Sequence, residues 1–311
     1  MTPYSRRRFL RQLLGTGAFA AAGMGRGFAL ETAKAEAFRF AFLTDFHLMK
    51  EGAKRSAEGM AACLAAVEKL EPKPEFILVG GDLIHCGRDL TIGEAEKHLE
   101  FFLKVWNDHT ALPVHWTFGN HDLIGTSNAT VSAQDHHYAK GLFKDRLQLR
   151  ELFYSFDFRG WHFVVLDDIA PLPGKGYRGE LFDDEMAFLL ADLEAHRNQP
   201  TIVCAHIPML SNLALGVSLK SDSPPTNLVC TNGGKLIEQA STHQVKAVLA
   251  GHLHFHEEMQ LESVRFINGG AVCGSYWRGP FKDCKEGFGV VDLGTDGSVK
   301  FEYQDYGWKA G

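Results

Sequence analysis

No two of the six cysteines (Cys63, Cys86, Cys204, Cys230, Cys273 and Cys284) in this 311-residue chain form a C-x-x-C pair. That argues against a zinc ribbon or finger, and the cysteines are too sparse for a disulfide scaffold, so mostly buried free thiols are expected. Nor does any uninterrupted apolar run reach the ~20 residues that a bilayer requires. Basic excess is missing too: 32 Lys+Arg stand against 38 Asp+Glu, a net charge of −6. A protein that coats nucleic acid through its phosphates is therefore disfavoured. There is no internal repeat and no long Pro- or Ser-rich linker. What is present, 45% hydrophobic and 23% charged residues, is the balance of a soluble globular protein.

The first segment reads as an address. Ser5-Arg6-Arg7-Arg8-Phe9-Leu10-Arg11 precedes an uncharged stretch from Gln12 to Gly25, which Arg26 interrupts. At 1.5 Å per residue that stretch is too short for a stable transmembrane span and suits a signal peptide. The paired arginines followed by Phe-Leu resemble the twin-arginine export signal, with Ala33-Lys34-Ala35 as a cleavage site before Glu36. The resemblance implies the twin-arginine translocation machinery as partner, a periplasmic or secreted location, and passage in the folded state with a metal already inserted. Two regions are expected: a signal peptide at 1–35 and one domain at 36–311. Removing 1–35 takes away Arg6, Arg7, Arg8, Arg11, Arg26 and Lys34 but only Glu31, so 32 basic and 38 acidic residues become 26 and 37, a net of −11.

Five strand-like runs in the remaining chain end in polar residues. Phe38 to Thr44 stops at Asp45; Phe76 to Val79 runs into Gly80-Gly81-Asp82; Val114 to Phe118 runs into Gly119-Asn120-His121-Asp122. Thr201 to Ala205 runs into His206, and Val245 to Ala250 into Gly251-His252-Leu253-His254. Helical patterns at Ser56–Leu70, Glu94–Asn107 and Phe182–His196 alternate with them, which predicts an α/β fold. Arg159-Gly160 between Tyr154–Phe158 and Trp161–Leu166 signals a hairpin, and four short strands follow His254, so the sheets should be mixed.

Asp45, His47, Asp82, Asn120, His206, His252 and His254 each offer an oxygen or imidazole nitrogen to a divalent metal. Ligand sites of open α/β sheets gather beyond the carboxyl ends of strands, so these residues should converge. Seven are too many for one tetrahedral ion and suit two ions sharing a carboxylate. On an extended chain, both members of Asp45-x-His47 and of His252-x-His254 would point to one side.

Together, Asp45-x-His47, Gly81-Asp82, Gly119-Asn120-His121-Asp122, His206 and Gly251-His252-x-His254 resemble the signature of calcineurin-like metallophosphoesterases. That family implies a four-layer α/β/β/α sandwich with mixed sheets and a dinuclear site. Carried over, Asp45, His47 and His254 would hold one ion, Asn120, His206 and His252 the other, with Asp82 bridging. His121 would be the catalytic residue, touching phosphate or protonating the leaving oxygen as a group that titrates near pH 7. A hydroxide bridging the ions would attack the phosphorus. Manganese, iron or zinc, divalent or of mixed valence, all suit the donors.

The protein serine/threonine phosphatase branch resembles Gly-Asp-x-x-Asp-Arg-Gly, and the purple acid branch resembles Gly-Asp-x-x-Tyr. Here His85 and Cys86 stand at those places, which disfavours both and leaves His121 without its usual acidic partner. Thr44-Asp45-Phe46-His47-Leu48, Tyr154-Ser155-Phe156-Asp157 and Asn268-Gly269-Gly270-Ala271 resemble the cyclic-nucleotide phosphodiesterase-like branch. A phosphodiester is thus the preferred small substrate. The alternatives are a phosphomonoesterase with the same site and a non-catalytic metal-binding envelope protein. Arg278 and Trp277 (or Tyr276) are candidate contacts for the substrate's charge and base. Gln134-Asp135-His136-His137-Tyr138 reads as a solvated helix start that could instead reach the site mouth, and Cys86 as a residue near the metals.

Overall fold

A computed structural model describes residues 35–310 apart from 173, 175 and 222–224. Nearly all of the expected signal peptide lies outside the described residues. In chain order the elements are β1 (Phe38–Leu43), α1 (Ser56–Glu68), β2 (Ile77–Gly80), α2 (Ile92–His109), β3 (Val114–Thr117), α3 (Gly141–Arg146) and β4 (Tyr154–Phe158). Then come β5 (Trp161–Val165), β6 (Ile169–Leu172), β7 (Gly176–Gly179), α4 (Asp183–Ala195), β8 (Thr201–Cys204), α5 (Asn212–Ser218) and α6 (Gly234–Ala240). The chain ends with β9 (Val245–Ala250), β10 (His256–Leu261), β11 (Val264–Gly269), β12 (Gly287–Leu293) and β13 (Val299–Asp305). No helix among them is long and apolar enough to cross a membrane.

Period-two alternation builds the layers. In β1, Phe38, Phe40 and Phe42 face the space between two sheets, while Ala41 and Leu43 face helices. In β9, Ala247 and Leu249 enter the same space from the other side, and Val245 and Val248 face a second helix layer. Strands buried on both faces read as mostly apolar runs, interrupted here only at Arg39 and Lys246. One sheet has the order β13-β12-β1-β2-β3, and the other β10-β11-β9-β8-β5-β4. The first core packs α1 and α2 on one sheet; the second packs α4 and α6 on the other. The four-layer sandwich with mixed sheets is as expected.

Between the sheets the core is aromatic: Phe40 stacks on Phe76 at 5.2 Å and Phe156 on Phe163 at 4.8 Å. Such pairs add roughly 0.5–1.5 kcal/mol each beyond their buried area. Helix α2 begins two residues earlier than expected, because Thr91 and Glu94 form a reciprocal capping box. Residues 134–138 are turns rather than a helix start; helix α3 begins only at Gly141. His136 and His137 pair with Asp145 of that helix. All six cysteines are free, four of them buried and Cys86 and Cys284 half-buried.

Strands β1, β2 and β3 run parallel, as do β5, β8, β9 and β11. The carboxyl ends of β1, β2, β3, β8 and β9 deliver the polar residues to one edge of the sandwich.

Candidate metal centre

Each carboxylate commits one oxygen to the scaffold. Asp45 Oδ2 accepts from Thr44 Oγ1 (2.7 Å) and from the His252 amide (2.9 Å). Its Oδ1 is buried, has no hydrogen-bond partner among the described residues, and lies 3.2 Å from His254 Nε2 and 3.6 Å from His47 Nε2. Asp82 Oδ1 accepts the His121 amide at 2.7 Å. Its Oδ2 stands between His47 Nε2 (3.2 Å) and His206 Nε2 (3.3 Å), common to two groups of donors.

The imidazoles are tethered from outside. His206 Nδ1 donates to the Gly80 carbonyl (2.7 Å), His254 Nδ1 to that of Gly274 (2.6 Å) and His252 Nε2 to that of Asn227 (2.7 Å). A ring whose outer nitrogen carries the hydrogen presents a lone pair inward when neutral. His206 Nε2 then faces two further acceptors, Asp82 Oδ2 and Asn120 Oδ1 (3.2 Å), and His254 Nε2 faces His47 Nε2 at 2.9 Å. Nitrogens and carboxylate oxygens packed this closely need positive charge among them, from protons or from a metal ion, so the donor set fits divalent metal. Asp45, His47 and Asp82 form one triplet within metal-binding reach; Asp82, His206 and His252 form another.

Charge follows the same geometry. Burial works against ionisation of Asp82, but His206 and the neighbouring imidazoles hold it well below the usual carboxylate range. Burial opposes charge on His206, yet Asp82 pushes it up to about 10. Burial lowers His47, and lowers His252 to about 4.

His121 lies beside the cluster, its ring 4.5 Å from that of His47. The Cys86 amide donates to its Nδ1 at 3.2 Å, so Nε2 carries the hydrogen. A backbone amide, rather than an acidic side chain, thus orients the ring. Burial pushes His121 down to about 2, away from the titration near neutrality expected of it. His85 stacks on His121, with ring centroids 5.5 Å apart.

Two expectations need correction. Trp277 is buried: its Nε1 donates to the His47 carbonyl (3.1 Å), and a Cβ on Gly59 would come within 2.1 Å of its ring. It supports His47 from behind and has no face for a substrate. Arg278 is exposed near His85, and Tyr276 instead meets the rings of His47 and His254, both at 4.7 Å. Secondly, Asp45-x-His47 and His252-x-His254 are not extended. All four residues have left-handed backbone, with φ of 57°, 41°, 72° and 59°. Convergence comes from turns rather than from strand alternation.

Sequence reasoning missed two buried carboxylates that position the ligands. Asp122 accepts the amides of Leu83 (2.9 Å) and Gly119 (2.8 Å), tying the β2 and β3 loops together. Asp168 accepts those of His206 (3.1 Å) and Ile207 (3.1 Å). Asp122 stood within a quoted motif, but nothing in the local pattern marks either residue as buried.

Residues 38–256 match the family described as calcineurin-like phosphoesterase, and the chain belongs to that family. Among curated relatives, it is 24% identical over 237 residues to a 3',5'-cyclic-nucleotide phosphodiesterase of Nostoc sp., covering 74% of this chain and 77% of that one. It is 27% identical over 195 residues to the serine/threonine-protein phosphatase CPPED1 of Rattus norvegicus, covering 61% of this chain and 56% of that protein. In fold it is similar to a dimetal phosphatase from Danio rerio, with TM-score 0.61, 15% identity and coverage of 86% and 96%.

Proposed function

We propose that the protein is an exported, dinuclear metal-dependent hydrolase of phosphoric esters, with phosphodiesters as the preferred substrates. The observation that carries this reading is the tethering of His206, His252 and His254 by their outer nitrogens, which turns their other ring nitrogens toward Asp45 and Asp82. Asp45, His47 and His254 would hold one ion, Asn120, His206 and His252 the second, with Asp82 between them. Divalent ions held there supply Lewis-acid charge to phosphoryl oxygens and acidify water for attack.

The chain's own residues do the rest. Asp45 and Asp82 each keep one oxygen on the scaffold, so the other is held in place. His121 presents Nε2–H to the ester, because its Nδ1 already accepts the Cys86 amide. The neutral ring donates a hydrogen bond to the leaving oxygen and stabilises the charge developing there, without giving up its proton.

The relative named as a cyclic-nucleotide phosphodiesterase favours a diester. The relative named as a serine/threonine-protein phosphatase favours the second reading, a monoesterase with the same metals. Metal-loaded protein assayed with bis-p-nitrophenyl phosphate and p-nitrophenyl phosphate decides between them. Faster turnover of the diester supports the first; a monoester preference of about tenfold reverses the order. Metal content without turnover on either would leave a non-catalytic binding protein.

A further inference from the structure

The metal ligands and His121 are not the only polar groups placed around the site. Arg88 lies in the 3-10 turn Gly87–Asp89. A Cβ on Gly87 would come within 2.4 Å of the His121 carbonyl oxygen, so this turn is seated directly on the His121 backbone. The amides of Gly125 and Ser127 hold the carbonyls of Gly87 and Arg88 at 3.1 and 3.0 Å. The guanidinium carbon lies 5.5 Å from the centre of the Tyr177 ring, and Tyr177 meets the edge of His252 at 5.9 Å. Arg88 therefore stands between His121 and the aromatic neighbour of a proposed ligand.

It is also unpaired. Arg39, Arg146, Arg159 and Arg265 each pair with a carboxylate. Arg88 pairs with none among the described residues, and its buried Nε has no hydrogen-bond partner. A cation half-withdrawn from water without an anion is costly unless an anion arrives to match it. A guanidinium fork fits a tetrahedral phosphoryl group better than any other side chain does.

We propose that Arg88 binds a non-bridging anionic oxygen of the phosphoryl group seated over His121, with Tyr177 steadying the guanidinium plane. This assignment rests on the phosphoester reading above. Arg88 is then a substrate-binding residue contributed by the turn after β2, outside the metal ligands.

The test compares metal-loaded wild type with Arg88→Ala and Arg88→Lys. Binding of inorganic phosphate is measured by calorimetry, and hydrolysis of bis-p-nitrophenyl phosphate by steady-state kinetics. Arg88→Ala is expected to weaken phosphate binding about 10- to 100-fold and to raise KM more than it lowers kcat. Metal content and melting temperature should be unchanged. Arg88→Lys should recover part of the affinity, since it keeps the charge but loses the fork. Phosphate affinity in Arg88→Ala within about twofold of wild type overturns the proposal. Loss of metal from that variant overturns it as well, because Arg88 would then be structural. A wild type that binds no phosphate also overturns it. A wild type that binds phosphate through Arg88 yet hydrolyses no ester leaves the assignment standing and removes the proposed function, so the two fail separately.

Discussion

Loading the site with divalent metal is expected to expel about two protons, one from His206 and one from His254, because ligand nitrogens must be deprotonated to bind. Burial opposes charge on both rings, but Asp82 pushes His206 up to about 10, and Cys273 with Asp45 holds His254 well above its ordinary 6.5. The remaining donors release nothing near neutrality: His47 and His252 are already neutral and both carboxylates already ionised. Each ion thus displaces one proton. For the ion held by His206, apparent affinity should rise about tenfold per pH unit from pH ~6 to ~9, or roughly 4 kcal/mol across that window, and level off near the His206 value. Chelator competition at several pH values measures the slope, and an indicator dye in weak buffer counts the protons. Stability carries the same linkage. Because both folded-state values are raised, the imidazolium–carboxylate contacts stabilise chelated protein fully below pH ~6.5 and are lost at higher pH, that of His206 as pH rises through about 10. Chelated protein should melt at lower temperature at high pH, while loaded protein, with metal in place of the protons, should not. An affinity flat in pH with no proton release would refute this account of the donor set.

Asp82→Ala should lose both metal and hydrolysis, whereas His121→Ala should keep its metals and lose turnover; elemental analysis beside the diester assay checks the pair, and a metal-free His121→Ala protein sinks the division of roles. Trp277→Ala should destabilise the fold by about 3–5 kcal/mol in urea unfolding, by opening a cavity against Gly59 and releasing the His47 carbonyl. A loss below about 1 kcal/mol would mean that Trp277 does not brace the β1 loop. Replacing Arg6 and Arg7 together by lysine should leave the precursor in the cytoplasm, as fractionation would detect; undiminished export would remove the twin-arginine reading.

The strands, their order along the chain and the convergence of their ends were readable because both faces of β1, β2, β8 and β9 are largely buried, which writes a mostly apolar run, interrupted by Arg39 in β1 and Lys246 in β9, that ends at a polar residue. The residues that surround the ligands were not. Tyr177 stands on the short hairpin β6–β7, whose Ile-Ala-Pro-Leu and Gly-Tyr-Arg-Gly carry no alternation. Asn227, the carbonyl partner of His252, comes from a loop with no periodicity at all. Arg88 looks like any exposed turn arginine until its neighbours are known. Asp168 reads as a solvated carboxylate, and only the amides at the end of β8 give it a reason to be buried.

Direction was the other hidden quantity, and its cause is the backbone. Asp45, His47, Asp82, His252 and His254 all occupy the left-handed region, where a side chain costs on the order of 1 kcal/mol or more. Loops free to relax would leave that region. These are not free: Asp45 N donates to Gly81 O (3.0 Å), His47 N to Asp82 O (2.9 Å) and Leu48 N to Leu83 O (3.0 Å), so the β1 and β2 loops stay zipped past the ends of their strands. The Asp45 carboxylate then ties the β9 loop to the same frame through the His252 amide. Bonds from main chain to main chain do not depend on an ion. The strained turns are therefore held by the fold itself, and adding or removing metal should move protons at His206 and His254 far more than it moves the loops that carry the ligands.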